Sequence, residues 1–112
     1  MIYIEVPDEN DSLSRIVLSD IEYFIRFTYN SKYDYWSFAI YDIEEEPILT
    51  SVKIVPMINL THFYDSSDLP DGMFGCFSDV EHIGYDSFQT GKAQFVYIPN
   101  SELEGWEPDA EF

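Results

Sequence analysis

The strongest constraint on the fold is residues 23–41, which read YFIRFTYNSKYDYWSFAIY. Apolar and aromatic residues recur at every second position in both halves, which is the period of a strand buried on one face. Polar residues 30–34 separate the halves and have the length and the Asn and Asp content of a hairpin connection. An α-helix would leave aromatic rings on most of its sides. The stretch therefore predicts a β-hairpin.

The two faces of this predicted hairpin differ in composition. One face carries apolar residues that we expect to fill the core: Ile25, Phe27, Phe38 and Ile40. The opposite face includes Tyr35 and Tyr41. Because tyrosine joins an apolar ring to a polar hydroxyl, it suits a surface that a partner covers. Tyr35 and Tyr41 are therefore candidate contact residues.

The rest of the chain adds further short strands and no convincing helix. Strand patterns occur at residues 2–6, 14–18, 48–55, 73–77 and 92–98, separated by loops rich in Pro, Gly and acidic residues. Residues 2–6 and 14–18 are expected to join the hairpin in one antiparallel meander. Residues 57–64 fit a short strand or an irregular apolar lid equally well. The prediction is an all-β fold, a small antiparallel meander or barrel-like sheet with long polar loops.

The length and the last residues predict the domain organisation. A chain of 112 residues suffices for one domain with its own core. We expect a β-domain over residues 1–99 and an acidic tail over residues 100–112, which holds five acids and no base. Trp106 and Phe112 suit docking onto a neighbouring protein, and Tyr64 is a further candidate contact residue.

The charge balance narrows the classes of partner. Twenty-two acidic residues face five basic ones, for a net charge of −17. Binding to nucleic-acid phosphates and to anionic membranes is not expected, because the chain has no basic stripe. A basic protein partner, or imitation of a nucleic acid's charge, fits the acidic balance.

The cysteine and the hydropathy pattern bear on the compartment. Cys76 is the single cysteine, so no intrachain disulfide exists, and it is expected to pack as a small hydrophobe. No secretory signal and no stretch of about 20 apolar residues is seen. Residence in a cytoplasm is the default expectation.

Catalytic and metal-binding patterns are not found. Asp65, Asp68 and Asp71 recur at every third position, but EF-hand loops need ligands at alternate positions. Turn formation explains them better. His62 and His82 have no cysteine or histidine at zinc-ligand spacing, and no nucleophile or phosphate-loop motif occurs. We expect a protein that is not an enzyme and holds no cofactor or metal.

Five segments in order carry a resemblance to a known family: IYIEVP, RFTYNSKYDYWSFAIYD, PILTSVKIVP, LPDGMFGCFSD and GKAQFVYIP. The chain resembles the baseplate plug proteins of contractile-tailed bacteriophages over most of residues 2–99. The resemblance implies a structural virion protein of mainly β-structure, seated at the baseplate hub near the tail axis. It implies hub, tube-initiator and spike proteins as partners, together with the tape-measure protein, and assembly in the host cytoplasm.

The axial symmetry of a phage tail bears on the copy number. Repeated copies around a tail axis would form a closed ring, most simply of three or six copies. The alternative function is an acidic, phage-encoded DNA mimic that inhibits a host nucleic-acid-binding protein, which would need its carboxylates on one continuous face. A generic soluble β-domain is a third alternative.

Overall fold

The computed structural model describes residues 1–61 and 69–102. Its seven strands are β1 (Ile2–Ile4), β2 (Asp11–Leu18), β3 (Ile21–Asn30), β4 (Tyr35–Tyr41), β5 (Pro47–Lys53), β6 (Gly72–Ser78) and β7 (Ala93–Pro99). A short 3-10 turn, Asn100–Glu102, follows β7 and is the helical element within these residues. The all-β prediction is confirmed.

The strands divide into two antiparallel sheets. One sheet has the order β2-β3-β4-β5, a meander, and the other has the order β1-β7-β6. Core side chains from both sheets pack against each other, so the fold is a two-layer sandwich. Neither sheet closes on itself. In this respect the structure differs from the predicted barrel-like sheet.

The predicted hairpin is strands β3 and β4. They pair in continuous register from Phe24 opposite Tyr41 to Asn30 opposite Tyr35. The Asn30 side-chain oxygen accepts hydrogen bonds from the backbone nitrogens of Lys32 and Tyr33, each at 3.0 Å. These bonds form the Asx turn that the polar connection predicts.

The expectation that the first strand joins this meander is wrong. Strand β1 pairs with β7 in the other sheet, with Ile2 opposite Tyr97 and Ile4 opposite Phe95. The chain changes sheet at Pro7, whose carbonyl accepts a hydrogen bond from the Glu9 nitrogen in a tight turn. Because Ile4 is buried between the sheets, β1 gains core contacts that pairing with the exposed edge of β2 would not provide.

Strand β2 is longer than its sequence pattern indicates. It begins at Asp11 rather than Ser14, because the Tyr29 nitrogen donates to the Asn10 carbonyl and so extends the ladder. At its other end β2 joins β3 through Ser19 and Asp20, whose φ angles are 51° and 67°. Two positive φ angles are typical of the two-residue hairpin turn that matches the twist of a sheet.

Aromatic rings join the two sheets. Phe38 contacts Phe95 at 5.0 Å and Phe74 at 5.3 Å between ring centroids, and Phe27 meets Phe95 edge-on at 5.1 Å. The Trp36 indole nitrogen donates to the Gly84 carbonyl at 3.1 Å. Among the described residues, seven aromatic ones are buried in the core of the sandwich: Tyr23, Phe27, Trp36, Phe38, Phe74, Phe95 and Tyr97.

Residues 57–61, the described part of the ambiguous stretch, run along the edge of β6 as an irregular segment. The Met57 and Leu60 nitrogens donate to the Cys76 and Phe74 carbonyls. Leu60 is buried in the core. In these residues the stretch forms an apolar cover for the sheet edge.

Candidate functional site

The outward side of the four-stranded sheet, here called the outer face, is the candidate site. Alternate residues of β2, β3 and β4, with Lys53 of β5, form it. Its principal charged and aromatic members are Arg15, Phe24, Arg26, Tyr35, Tyr41 and Lys53. Leu13 and Val17 add apolar side chains that are 48% and 54% exposed. The outer face therefore mixes rings, aliphatic groups and cations, as contact surfaces commonly do.

The outer face departs from the charge of the chain as a whole. It carries three of the five basic residues (Arg15, Arg26 and Lys53) and two carboxylates, Asp11 and Glu22, on its strands. That is one net positive charge in a chain whose net charge is −17. A partner with acidic groups can approach here with less repulsion than at the turns.

An ion pair lies at the centre of the outer face. Arg26 donates from Nε and Nη2 to the two carboxylate oxygens of Asp11, at 2.7 and 2.6 Å. These hydrogen bonds hold the pKa of Asp11 below its ordinary value. Hydrogen bonds with Asp11 and then Tyr41 raise the pKa of Arg26. The fork geometry fixes the guanidinium against the sheet.

A groove of about 510 Å³ opens beside this ion pair. Leu13, Arg26, Tyr41 and Glu45 line it together with Asp11 and Ser12. Its lining residues supply one aliphatic side chain, two hydroxyl groups (Ser12 and Tyr41) and both signs of charge. Such a lining suits a protein side chain with a polar end.

Cations stack on aromatic rings at two corners of the outer face. Arg15 Cζ lies 5.7 Å from the ring centroid of Phe24, and Lys53 Nζ lies 5.2 Å from that of Tyr35. Stacking of this kind is worth about 0.5–1 kcal/mol at exposed sites. It holds flexible basic side chains flat and so prepares the surface for a partner.

A second polar cluster ties the hairpin turn to residues 79–92. Asp34, at φ 54°, accepts hydrogen bonds from the Tyr29 hydroxyl and from His82 Nε2, the latter at 2.8 Å. The Tyr29 and His82 contacts lower the pKa of Asp34, and the Asp34 contact raises the pKa of Tyr29 to about 12. A Tyr–Asp–His chain can relay protons, but this one is exposed and its contacts fasten two loops.

The predicted contact residues fall in two groups. Tyr35 and Tyr41 both lie on the outer face, partly exposed, at opposite ends of β4. Tyr64, Trp106 and Phe112 lie outside the described residues. Their role as contact residues stays a prediction for all five.

Residues that the sequence-based account did not assign to this surface are the basic ones. Arg15, Arg26 and Lys53 share a face with the tyrosines only once the strand register is known. In the sequence, each of them lies in a strand pattern beside an apolar residue, and this pattern is the signal that could have placed them on the outward side of the sheet. The sequence pattern leaves Asp11 in the loop between residues 6 and 14, and the structure instead places it at the first position of β2.

Cys76 lies in the core, away from the outer face. Its side chain is 0% exposed, and burial raises the pKa of its thiol to about 12. The prediction that it packs as a small hydrophobe is confirmed.

Residues 1–61 and 69–102 contain neither a metal-binding cluster nor a membrane-spanning helix. No group of three or more His, Cys, Asp or Glu side chains there is arranged to hold a metal ion. No helix in those residues has the length and apolarity needed to cross a membrane.

Comparison with known proteins assigns the chain to a family. No curated protein matches it. The family described as "Cyanophage baseplate Pam3 plug gp18" matches residues 1–101, which include the seven strands β1–β7 and the whole outer face. The chain belongs to this family of phage baseplate plug proteins.

Proposed function

We propose that this protein sits at the hub of a contractile-tail baseplate, near the tail axis, and is held there by contacts through its outer face. Family membership makes it a structural component of the virion baseplate. The observation that carries the proposal is the outer face itself, where three of the five basic residues lie beside the half-exposed side chains of Leu13 and Val17 and the partly exposed rings of Tyr35 and Tyr41. Surfaces of this composition favour protein contacts.

The partners we propose are the hub, tube-initiator and spike proteins, with the tape-measure protein as a further contact. Assembly would take place in the host cytoplasm, with copies set around the tail axis in a ring of three or six. The family match supports assembly with other baseplate proteins. The acid-poor outer face would meet a neutral or acidic partner surface, and the acidic turns would meet basic ones.

The DNA-mimic alternative is less well supported. A mimic needs rows of carboxylates at phosphate-like spacing on one face. Among the described residues, exposed acids instead gather in turns, as at residues 8–9 and 44–46. The broadest sheet face has a net positive charge, which opposes binding to a protein that recognises DNA.

Mass spectrometry of purified virions tests the proposed function. We expect the protein in every particle preparation, and we expect tails to be missing or defective when its gene is deleted. Absence from particles, combined with normal tails in the deletion strain, would contradict the proposal.

The C-terminal segment has a separate test. The Asn100 nitrogen donates to the Asp71 carbonyl at 3.0 Å, so a deletion should spare residue 100. We propose that removal of residues 103–112 leaves the fold intact and weakens incorporation into the baseplate. Unchanged incorporation of this truncated chain would show that the segment is dispensable.

A further inference from the structure

Four strand edges end the two sheets, and three of them are short, covered or irregular. Strand β1 has three residues. Residues 57–60 cover the edge of β6 by hydrogen bonding to it. Strand β5 begins with Pro47, has a positive φ of 53° at Ser51 and pairs with β4 through two register shifts. Such features keep an edge from recruiting another strand.

Strand β2 has none of these features. It pairs with β3 over all eight residues without a bulge, and β3 is its one sheet neighbour among the described residues. Leu13 and Val17 on it are about half exposed. An eight-residue regular edge with exposed apolar side chains is a template for another strand.

The backbone groups that β2 offers can be identified. The Tyr29 nitrogen bonds to the Asn10 carbonyl, so Asn10 and Tyr29 are a hydrogen-bonded pair. Since such pairs alternate in antiparallel sheets, Ser12, Ser14 and Ile16 also direct their N–H and C=O groups to β3. The groups of Asp11, Leu13, Arg15 and Val17 therefore point to the open edge.

The core-facing side of β2 carries a buried hydroxyl without a partner in the part of the chain that the structure describes. Ser12 is 8% exposed, yet its hydroxyl oxygen has no hydrogen-bond partner among the described residues. Ser14 and Ile16 on the same side are only half-buried. A buried hydroxyl without a partner is destabilising, so a neighbouring strand that supplied a hydrogen-bond partner would bind favourably.

We propose that β2 pairs antiparallel with β2 of a second copy of this chain, with Leu13 opposite Leu13 on the two-fold axis. Residues with open backbone groups must face each other. The two-fold axis must therefore pass through a residue, such as Leu13, Ser14 or Arg15, and not between two residues. Centring on Leu13 places Asp11 opposite Arg15 twice and Ser12 opposite Ser14 twice. The ion pairs and the orphaned hydroxyl are then satisfied together.

Other registers lack this match. Centring on Arg15 places two arginines opposite each other, and like charges in that position are destabilising. Centring on Ser14 places Leu13 opposite Arg15 and Asp11 opposite Val17. Asp11 already accepts from Arg26, but a carboxylate has about four lone-pair sites and can accept a second donor.

A second copy is the occupant because the match is self-complementary. A two-fold contact uses the same patch on both subunits. On β2 the acid and the base stand two residues to either side of Leu13, which is the arrangement that such a contact requires. The contact extends the proposed function, since six baseplate copies arranged as three such pairs keep a threefold axis.

Cysteine cross-linking of the full chain tests the register. Opposite residues of a hydrogen-bonded pair have Cα atoms about 5.5 Å apart, within the range of a disulfide. Under a glutathione redox buffer, Leu13→Cys should form a disulfide-linked dimer in most molecules. Val17→Cys lies on the same strand and is similarly exposed. It should give at least tenfold less disulfide-linked dimer, because the two cysteines would lie about 26 Å apart.

Sedimentation of the free protein tests the contact itself. The wild-type chain should sediment at twice 13.1 kDa. Leu13→Pro removes an N–H that faces the open edge and should give a monomer with an unchanged circular dichroism spectrum. Arg15→Asp, which keeps the backbone, should also give a monomer, and Lys92→Asp, with the same charge change elsewhere, should not.

Three outcomes would overturn this inference: a monomeric wild-type chain, equal cross-linking of Leu13→Cys and Val17→Cys, or Lys92→Asp as disruptive as Arg15→Asp. None of them depends on incorporation into virions. A protein that is found in particles and yet sediments as a monomer would retain the baseplate function and lose the two-fold pairing.

Discussion

The two faces of the β3–β4 hairpin come from the same residues in alternation and have opposite properties. On the inner face, Phe27, Trp36 and Phe38 are at most 1% exposed. On the outer face, Tyr35 and Tyr41 of β4 are partly exposed. The inner face holds the sandwich together, and the outer face contributes little to that core. Substitutions on the inner face should therefore change stability, and substitutions at the neighbouring outer-face positions should change assembly.

The largest expected effect is on the inner face. Phe38→Ala removes a ring that contacts Phe74 and Phe95 and should lower the free energy of unfolding by about 3–5 kcal/mol. Urea denaturation measures it. The neighbouring Ser37→Ala, on the outer face, is the control and should change stability by less than about 0.5 kcal/mol. Equal losses for the two variants would erase the distinction between the faces.

A smaller effect is expected at Cys76, which packs in the same core from β6. Cys76→Ser places a hydroxyl in a site without exposure and should cost about 1–3 kcal/mol. Because burial raises the thiol pKa to about 12, the native wild-type thiol should also resist alkylation at neutral pH. Rapid labelling of the folded protein would show that the core is open at this point.

The ion pair on the outer face should contribute less again. Arg26→Ala should cost at most about 1 kcal/mol at pH 7, because both partners are about half exposed to solvent. The pKa of Asp11 lies below its ordinary 3.8 in the folded chain. The contribution of the ion pair to stability is therefore complete above pH 3.8, and it is lost as the pH falls through the pKa of Asp11 in the folded chain.

Comparison of the wild type and Arg26→Ala across this pH range checks the sign. The difference in their urea midpoints should shrink as Asp11 becomes protonated. A difference that stays constant down to about pH 2, where an ordinary aspartate is protonated, would show that Arg26 acts by packing and not by charge.

The smallest effect on stability is expected for the tyrosines of the outer face. Tyr35→Ala and Tyr41→Ala should each lower the free energy of unfolding by about 0.5–1 kcal/mol, the size of the single contacts that these rings make with Lys53 and Arg26. Thermal unfolding of the purified variants measures this. A loss above about 2 kcal/mol, the range of core truncations, would assign these rings to the core.

The sequence pattern predicted most of the strands because alternation is a local signal. The hairpin, its turn and its two faces follow from residues 23–41 alone, and the later strands agree with the structure to within one or two residues at most ends. Aromatic residues at every second position leave few other solutions.

The assignment of strands to two sheets could not be predicted in the same way. Strand β1 pairs with β7, more than ninety residues away, and nothing in the alternation of Ile2 and Ile4 specifies that partner. The basic half of the outer face was missed for a related reason. Arg15 and Lys53 come from strands at opposite edges of the sheet, and only the register brings them beside Phe24 and Tyr35.

The central claim is that the outer face holds this protein in the baseplate. Its most direct test is incorporation of the double variant Tyr35→Ala/Tyr41→Ala into virions, with expression matched to the wild type and the amount per particle measured by quantitative mass spectrometry. The control is Tyr3→Ala/Tyr33→Ala, which removes two rings that are 62% and 67% exposed and lie off the outer face.

We predict that the control enters particles at the wild-type level and that the outer-face variant, although folded, falls at least tenfold below it. Equal incorporation of a folded outer-face variant would contradict the claim and would place the contact surface elsewhere on the chain.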